Sequence, residues 1–104
     1  MIAVTHFDSS AADFIEHAQD LLRLLAVRPG YRRGSLSRST DDSDHWVLVT
    51  EWDDVGSYRR GFSAEVRMVA MPLFAAARDM PSAFEPLIEI GTDGAVTEHG
   101  SDRA

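Results

Sequence analysis

The segment Trp46-Val47-Leu48-Val49-Thr50-Glu51-Trp52 restricts the possible folds more than any other, because it is rich in aromatic and β-branched residues. It is also apolar on both parities. Successive side chains of a strand project to opposite faces, so Trp46, Leu48 and Trp52 point one way while Val47 and Val49 point the other. The opening run Ile2-Ala3-Val4-Thr5-His6-Phe7 repeats the pattern, with Ile2 and Val4 opposing Ala3 and Phe7. An antiparallel sheet wetted on one face shows polar residues at alternate positions. These strands do not, so both faces of their sheet need cover.

Between the two strands, Ser10-Ala11-Ala12-Asp13 has the form of a capping box, and Phe14, Ala18, Leu21 and Leu25 recur at helical steps until Pro29-Gly30. A second strand is expected over residues 31–39, ahead of the polar turn Thr40-Asp41-Asp42-Ser43-Asp44. After Trp52, Asp53-Asp54 caps a helical region carrying Tyr58, Phe62, Val66 and Val69. Pro72 is expected to break this region, which restarts over residues 72–78 with proline in a first turn. Residues 84–90 read as a fourth strand, near a sheet edge because of Pro86. The order strand, helix, strand, strand, helix, strand predicts an α+β, ferredoxin-like βαββαβ domain over residues 1–91, with both helices on one face of a four-stranded antiparallel sheet. Residues 92–104, Gly-rich and acidic, read as a flexible tail. A chain of 104 residues has no further helix for the second sheet face. The simplest cover is a second copy, which predicts a two-fold homodimer packed sheet to sheet.

Seventeen acidic residues against ten basic ones give a net charge of -7, which repels phosphate backbones and anionic lipid, so neither nucleic acid nor membrane is an expected partner. There is no Cys, and with it no disulfide or thiolate chemistry. The apolar stretch 68–77 is too short to span a bilayer and holds Pro72, and the first residues lack a secretory pattern; a cytoplasmic protein is expected. His17, His45 and His99 have no metal-ligand spacing to a second His, so neither a metal nor a cofactor is expected. Glu51 calls for an ion pair with Arg33 or Arg38, and Arg28, Arg32, Arg33 and Arg38 for a rim neutralised by Asp41, Asp42 and Asp44.

The run Arg28-Pro29-Gly30-Tyr31, then Ser37-Arg38-Ser39-Thr40-Asp41-Asp42, the strand from Trp46 to Trp52, Tyr58-Arg59-Arg60, Pro72-Leu73 and Pro81-Ser82-Ala83-Phe84-Glu85 resemble the antibiotic biosynthesis monooxygenase domain family. The resemblance extends over nearly all of residues 2–90 and implies a dimeric α+β barrel. In the family's cofactor-independent monooxygenases of aromatic polyketide pathways, a Trp ending the third strand and a Tyr six positions later border the substrate pocket. Trp52 and Tyr58 match that spacing, whereas Leu48 stands where those enzymes are described as using an Asn. In the haem-degrading branch the working Trp and His fall at Gly61 and Met71, and the chain has no Asn, so haem degradation is disfavoured.

Cofactor-free oxygenation needs an apolar slot and one base or proton relay, because the anion of an electron-rich phenol, hydroquinone or anthrone reduces O2 directly. The resemblance makes Tyr58 the relay and Trp52 a wall of the slot. Phe62, Met68, Met71 and Phe74 are the further lining candidates, and His6, near the end of the first strand, is the candidate general base. The competing role for the aromatics and methionines is to fill the core between helix and sheet. The expected function is a cofactor-independent monooxygenase acting on a small aromatic or quinol-like substrate. The alternative is a non-catalytic homodimer that binds a small hydrophobic ligand or serves as an interaction module.

Overall fold

In the computed structural model, which describes residues 1–101, the apolar periodicities become a two-layer α+β fold. Strand β1 (Ile2–Asp8) leads to helix α1 (Phe14–Ala26), strands β2 (Tyr31–Arg38) and β3 (His45–Trp52), helices α2 (Val55–Gly61) and α3 (Ala64–Phe74), and strand β4 (Ala83–Phe84). The four strands form an antiparallel sheet in the order β2-β3-β1-β4, as the ferredoxin-like reading requires.

On β3 every second residue is buried: Trp46, Leu48, Thr50 and Trp52 face the helices. Phe14, Ala18, Leu21 and Leu25 of α1 meet them, as their spacing predicts, together with Val66, Ala70 and Leu73 of α3. The opposite face carries Ile2, Val4 and His6 of β1 in register with Glu51, Val49 and Val47 of β3. Phe84, paired with Ile2, extends this face and is 47% exposed. No described helix covers it.

Local chemistry moves several boundaries. Ser10 does not cap α1; Asp13 holds the N-cap position without a side-chain bond, and Ser9 instead accepts from the Ala11 amide. The break in the second helical region falls at Phe62-Ser63, where the Ser63 hydroxyl accepts from the Val66 amide and starts a new helix. Pro72 lies inside α3 near its end, and no helix restarts there. It is tolerated because the Met68 carbonyl that loses its donor lies on a solvent-facing side, with both residues exposed.

The predicted fourth strand is split. Its start, β4, pairs with β1, but Pro86 has no N–H to continue the ladder. Residues beyond it form a separate hairpin, β5 (Ile88–Ile90) with β6 (Val96–Glu98), so the reading of 92–104 as a tail holds a paired strand at residues 96–98; residues 102–104 of that tail lie outside the described residues. The arginine rim also finds other partners than the acidic turn. Arg33 pairs with Glu51 at 2.6 Å, as expected, but Arg32 pairs with Asp53 at 2.7 Å, and Arg38 stacks over Trp46.

Candidate functional site

The break at Phe62-Ser63 creates the site. Two short helices, each started by its own cap, Asp54 accepting from the Ser57 amide at 2.7 Å and Ser63 from that of Val66, are separated where Phe62 and Ser63 leave the helical backbone. Between them is a cavity of about 350 Å³, within the size range of small-molecule sites. Tyr58, Arg59 and Phe62 line it from α2 and its C-cap; Arg67, Ala70, Met71 and Phe74 line it from α3.

Its walls belong to a continuous relay of ring contacts. Trp52 meets Tyr58, Tyr58 meets Phe62, Phe62 meets Phe74 and Phe74 meets Phe7, all edge to face with centroids 5.2 to 6.2 Å apart. Such contacts fix ring orientation as well as filling space. The cavity is therefore attached to the core rather than carried on a loop.

Of the residues the sequence nominates, the structure brings Tyr58, Phe62, Met71 and Phe74 together around this cavity. Trp52 stands behind them. It is fully buried, its Nε1 donates to Thr50 Oγ1 at 2.9 Å, and its ring supports Tyr58 without lining the cavity. Met68 is 74% exposed and also outside the lining. His6 is on the other side of the sheet, where its Nδ1 shares a hydrogen bond of 2.8 Å with His45 Nε2. It does not reach the cavity, because side-chain alternation on β1 sends Phe7 to the core and His6 away from it.

Among the described residues the titratable groups in the lining are Tyr58, Arg59 and Arg67; neither a carboxylate nor an imidazole is among them. Among the described residues the Tyr58 hydroxyl has no hydrogen-bond partner, which leaves it available to a ligand. Arg59 and Arg67 were not singled out from the sequence as site residues. A signal existed in the spacing Arg67, Ala70, Met71, Phe74, one face of a helix, but it is legible only if α3 runs through Pro72. On the far side of Arg59 a wider depression is rimmed by Asp54, Arg60, Phe84 and Glu85. Its charged rim suits solvent better than an apolar ligand.

No group of three or more His, Asp or Glu side chains arranged to hold a metal ion occurs among the described residues. No described helix is long and apolar enough to cross a membrane.

The family model of antibiotic biosynthesis monooxygenases matches residues 1–65. Among solved structures, SnoaB, a cofactor-independent oxygenase from Streptomyces nogalater, is 24% identical with a TM-score of 0.67, over 74% of this chain and 82% of that one. A conserved protein from Methanosarcina mazei is 15% identical with a TM-score of 0.63, over 79% and 84%. A protein from Shewanella oneidensis is 14% identical with a TM-score of 0.62, over 75% and 81%. At these identities the likeness establishes the shared fold. No curated protein matches the chain.

Proposed function

Because this chain belongs to the antibiotic biosynthesis monooxygenase family, we propose that it oxidises a small aromatic or quinol-like substrate with O2, without a bound cofactor, in the cavity between α2 and α3. The observation that carries the reading is an aromatic-walled, apolar cavity with one unengaged phenol hydroxyl, that of Tyr58, at its edge. The description of SnoaB as a cofactor-independent oxygenase supports the same chemistry on this fold. In such a reaction a ring methylene and O2 give a carbonyl and water. The substrate supplies all four electrons, and the protein supplies position, dryness and proton handling. Tyr58 donates a hydrogen bond to the oxygen on which negative charge develops and passes the proton on.

A second copy completes the molecule in this reading. Ile2, Val4, Val47, Val49 and Phe84 form an apolar patch on one side of the sheet, bordered by Glu51, Arg33 and the serines of β2, and a sheet-to-sheet homodimer removes it from water. His6 and His45 are then interface residues rather than catalytic ones.

Oxygen uptake with a panel of anthrones and hydroquinones tests the activity. Turnover that falls at least tenfold in Tyr58→Phe, with the substrate still bound, supports the enzyme. Ligand-dependent thermal protection with no O2 consumption supports the non-catalytic binding module, a reading favoured by Leu48 at the position of the family's Asn and by a lining without a base.

A further inference from the structure

We infer that the cavity between α2 and α3 selects an aromatic ligand that is an anion at neutral pH, its ring against Phe62 and Phe74 and its charged group held by Arg67 and Arg59. The inference deepens the proposed function and rests on taking this cavity as the substrate site.

The first observation is the pairing of the arginines. Arg32, Arg33, Arg60 and Arg78 form ion pairs with Asp53, Glu51, Asp54 and Asp8. Arg28 donates to the Arg60 carbonyl, and Arg38 stacks on Trp46. Among the described residues Arg23, Arg59 and Arg67 have no such partner, and of these Arg59 and Arg67 line the same cavity. In a chain with seventeen acidic and ten basic side chains, a surface arginine has acids in excess to choose from. Two that lack one, on different helices converging on one apolar slot, form a local positive field in a molecule whose overall charge of -7 repels anions.

The second observation is what the lining lacks. With no carboxylate among the described lining residues, none of them competes for the guanidinium groups. Guanidinium suits an anionic ligand: it stays charged, presents a planar fork to carboxylate or sulfonate, and stacks on aromatic rings. Arg67 is the main anchor because it lines this cavity alone, while Arg59 also borders the depression that holds Glu85.

Two fluorescent probes with the same ring system separate charge from shape: anilinonaphthalenesulfonate, which is anionic, and N-phenylnaphthylamine, which is neutral. Full-length protein, Arg67→Gln, the Arg59→Gln/Arg67→Gln double variant and an Arg23→Gln control on α1 are titrated at low and high salt, after circular dichroism has shown that each is folded. The wild-type protein is expected to prefer the anionic probe by about tenfold, the size of one charge-assisted hydrogen bond. That preference should shrink in Arg67→Gln, approach unity in the double variant and at high salt, and persist in Arg23→Gln, with neutral-probe affinity unchanged throughout. A neutral probe that binds wild type as tightly as the anionic one, or a preference unaltered in the double variant, overturns the inference. Arg-dependent selectivity without O2 consumption by any aromatic anion would leave the anion site standing and remove the oxygenase. Turnover of neutral hydroquinones that the double variant does not alter would do the reverse.

Discussion

Two glycines of α2 should respond to the same substitution with opposite signs. Neither Gly56 nor Gly61 has a positive φ, so by helix propensity alone Gly→Ala should stabilise both by about 0.5–1 kcal/mol. At Gly56 that expectation stands. An added Cβ would meet Arg60 Nη1 at 2.8 Å, the far end of an exposed and flexible side chain, which swings aside. At Gly61 the same atom would come within 2.5 Å of Trp52 Cη2 and 2.8 Å of Cζ3. That ring has no room to retreat: it is fully buried, tied through Nε1 to Thr50 and flanked edge to face by Tyr31 and Tyr58. Overpacking of this kind costs about 1–3 kcal/mol, and a rigid neighbour puts the site in the upper half of that range. Subtracting the propensity gain leaves Gly61→Ala less stable by about 1–2.5 kcal/mol. For a domain of this size that corresponds to a melting temperature lower by roughly 4–20 °C. Urea unfolding at one fixed protein concentration measures both variants, since self-association would make stability concentration-dependent. A Gly61→Ala protein as stable as wild type, or two shifts of the same sign, would refute the placement of Trp52 under α2. The placement matters for function because the residue that Trp52 supports is Tyr58.

Other perturbations address other parts of the molecule. Phe7→Ala removes a fully buried ring between Phe14 and Phe74 and should cost about 3–5 kcal/mol by thermal or chemical unfolding, while opening the floor of the cavity. Ser63→Ala deletes the cap that starts α3 and should cost about 1 kcal/mol; a loss indistinguishable from zero would show that the helix break does not depend on it. Arg78 Nε and Nη2 both donate to the Asp8 carboxylate at 2.8 Å and hold its pKa below the ordinary 3.8. The stability this gives is complete above the unfolded carboxyl's range and is lost as pH falls through the lowered folded value. Asp8→Asn should therefore flatten the decline in stability below roughly pH 5 and leave its pH dependence near neutrality unchanged. Val49→Arg places a charge on the apolar sheet face and should halve the mass measured by sedimentation equilibrium; a wild-type protein that is monomeric at micromolar concentration would refute the sheet-to-sheet dimer.

The sheet was legible in the sequence because its determinants are local. The alternation on β3 and the four-residue recurrence on α1 name the same buried residues that the structure buries. What went astray lies where a local rule met a tertiary exception. Pro72 reads as a helix breaker, but the penalty depends on whether the orphaned carbonyl can reach water, and that is a property of the face turned outward. Ser63, between Phe62 and Ala64, reads as an interior position until the Phe62 ring is seen packing against Phe74 across the break. The hairpin of β5 and β6 pairs residues from either side of a five-residue turn, and its strands are only three residues long, too short for periodicity to register.

The cavity was half legible, and the division follows chemistry. Tyr58, Phe62, Met71 and Phe74 could be nominated because large apolar residues at helical spacing serve either as core or as the lining of a slot, and the structure puts them around the slot between α2 and α3. The arginines could not be nominated in the same way. A cation in sequence carries no sign of whether it will be neutralised: Arg32 finds Asp53 twenty-one residues away, and Arg78 finds Asp8 seventy residues away. Sequence proximity pointed to Asp41, Asp42 and Asp44 as counter-ions for the β2 arginines, yet the fold delivers Glu51 and Asp53 from β3 and its end. Only once those pairs are made does it emerge that Arg23, Arg59 and Arg67 are left over, and that the last two border the same apolar space. Their partner, if the cavity has one, must then come from outside the described chain. Charge complementarity allows an anion there, and the rings of Tyr58, Phe62 and Phe74 in the lining favour one that brings an aromatic body with it.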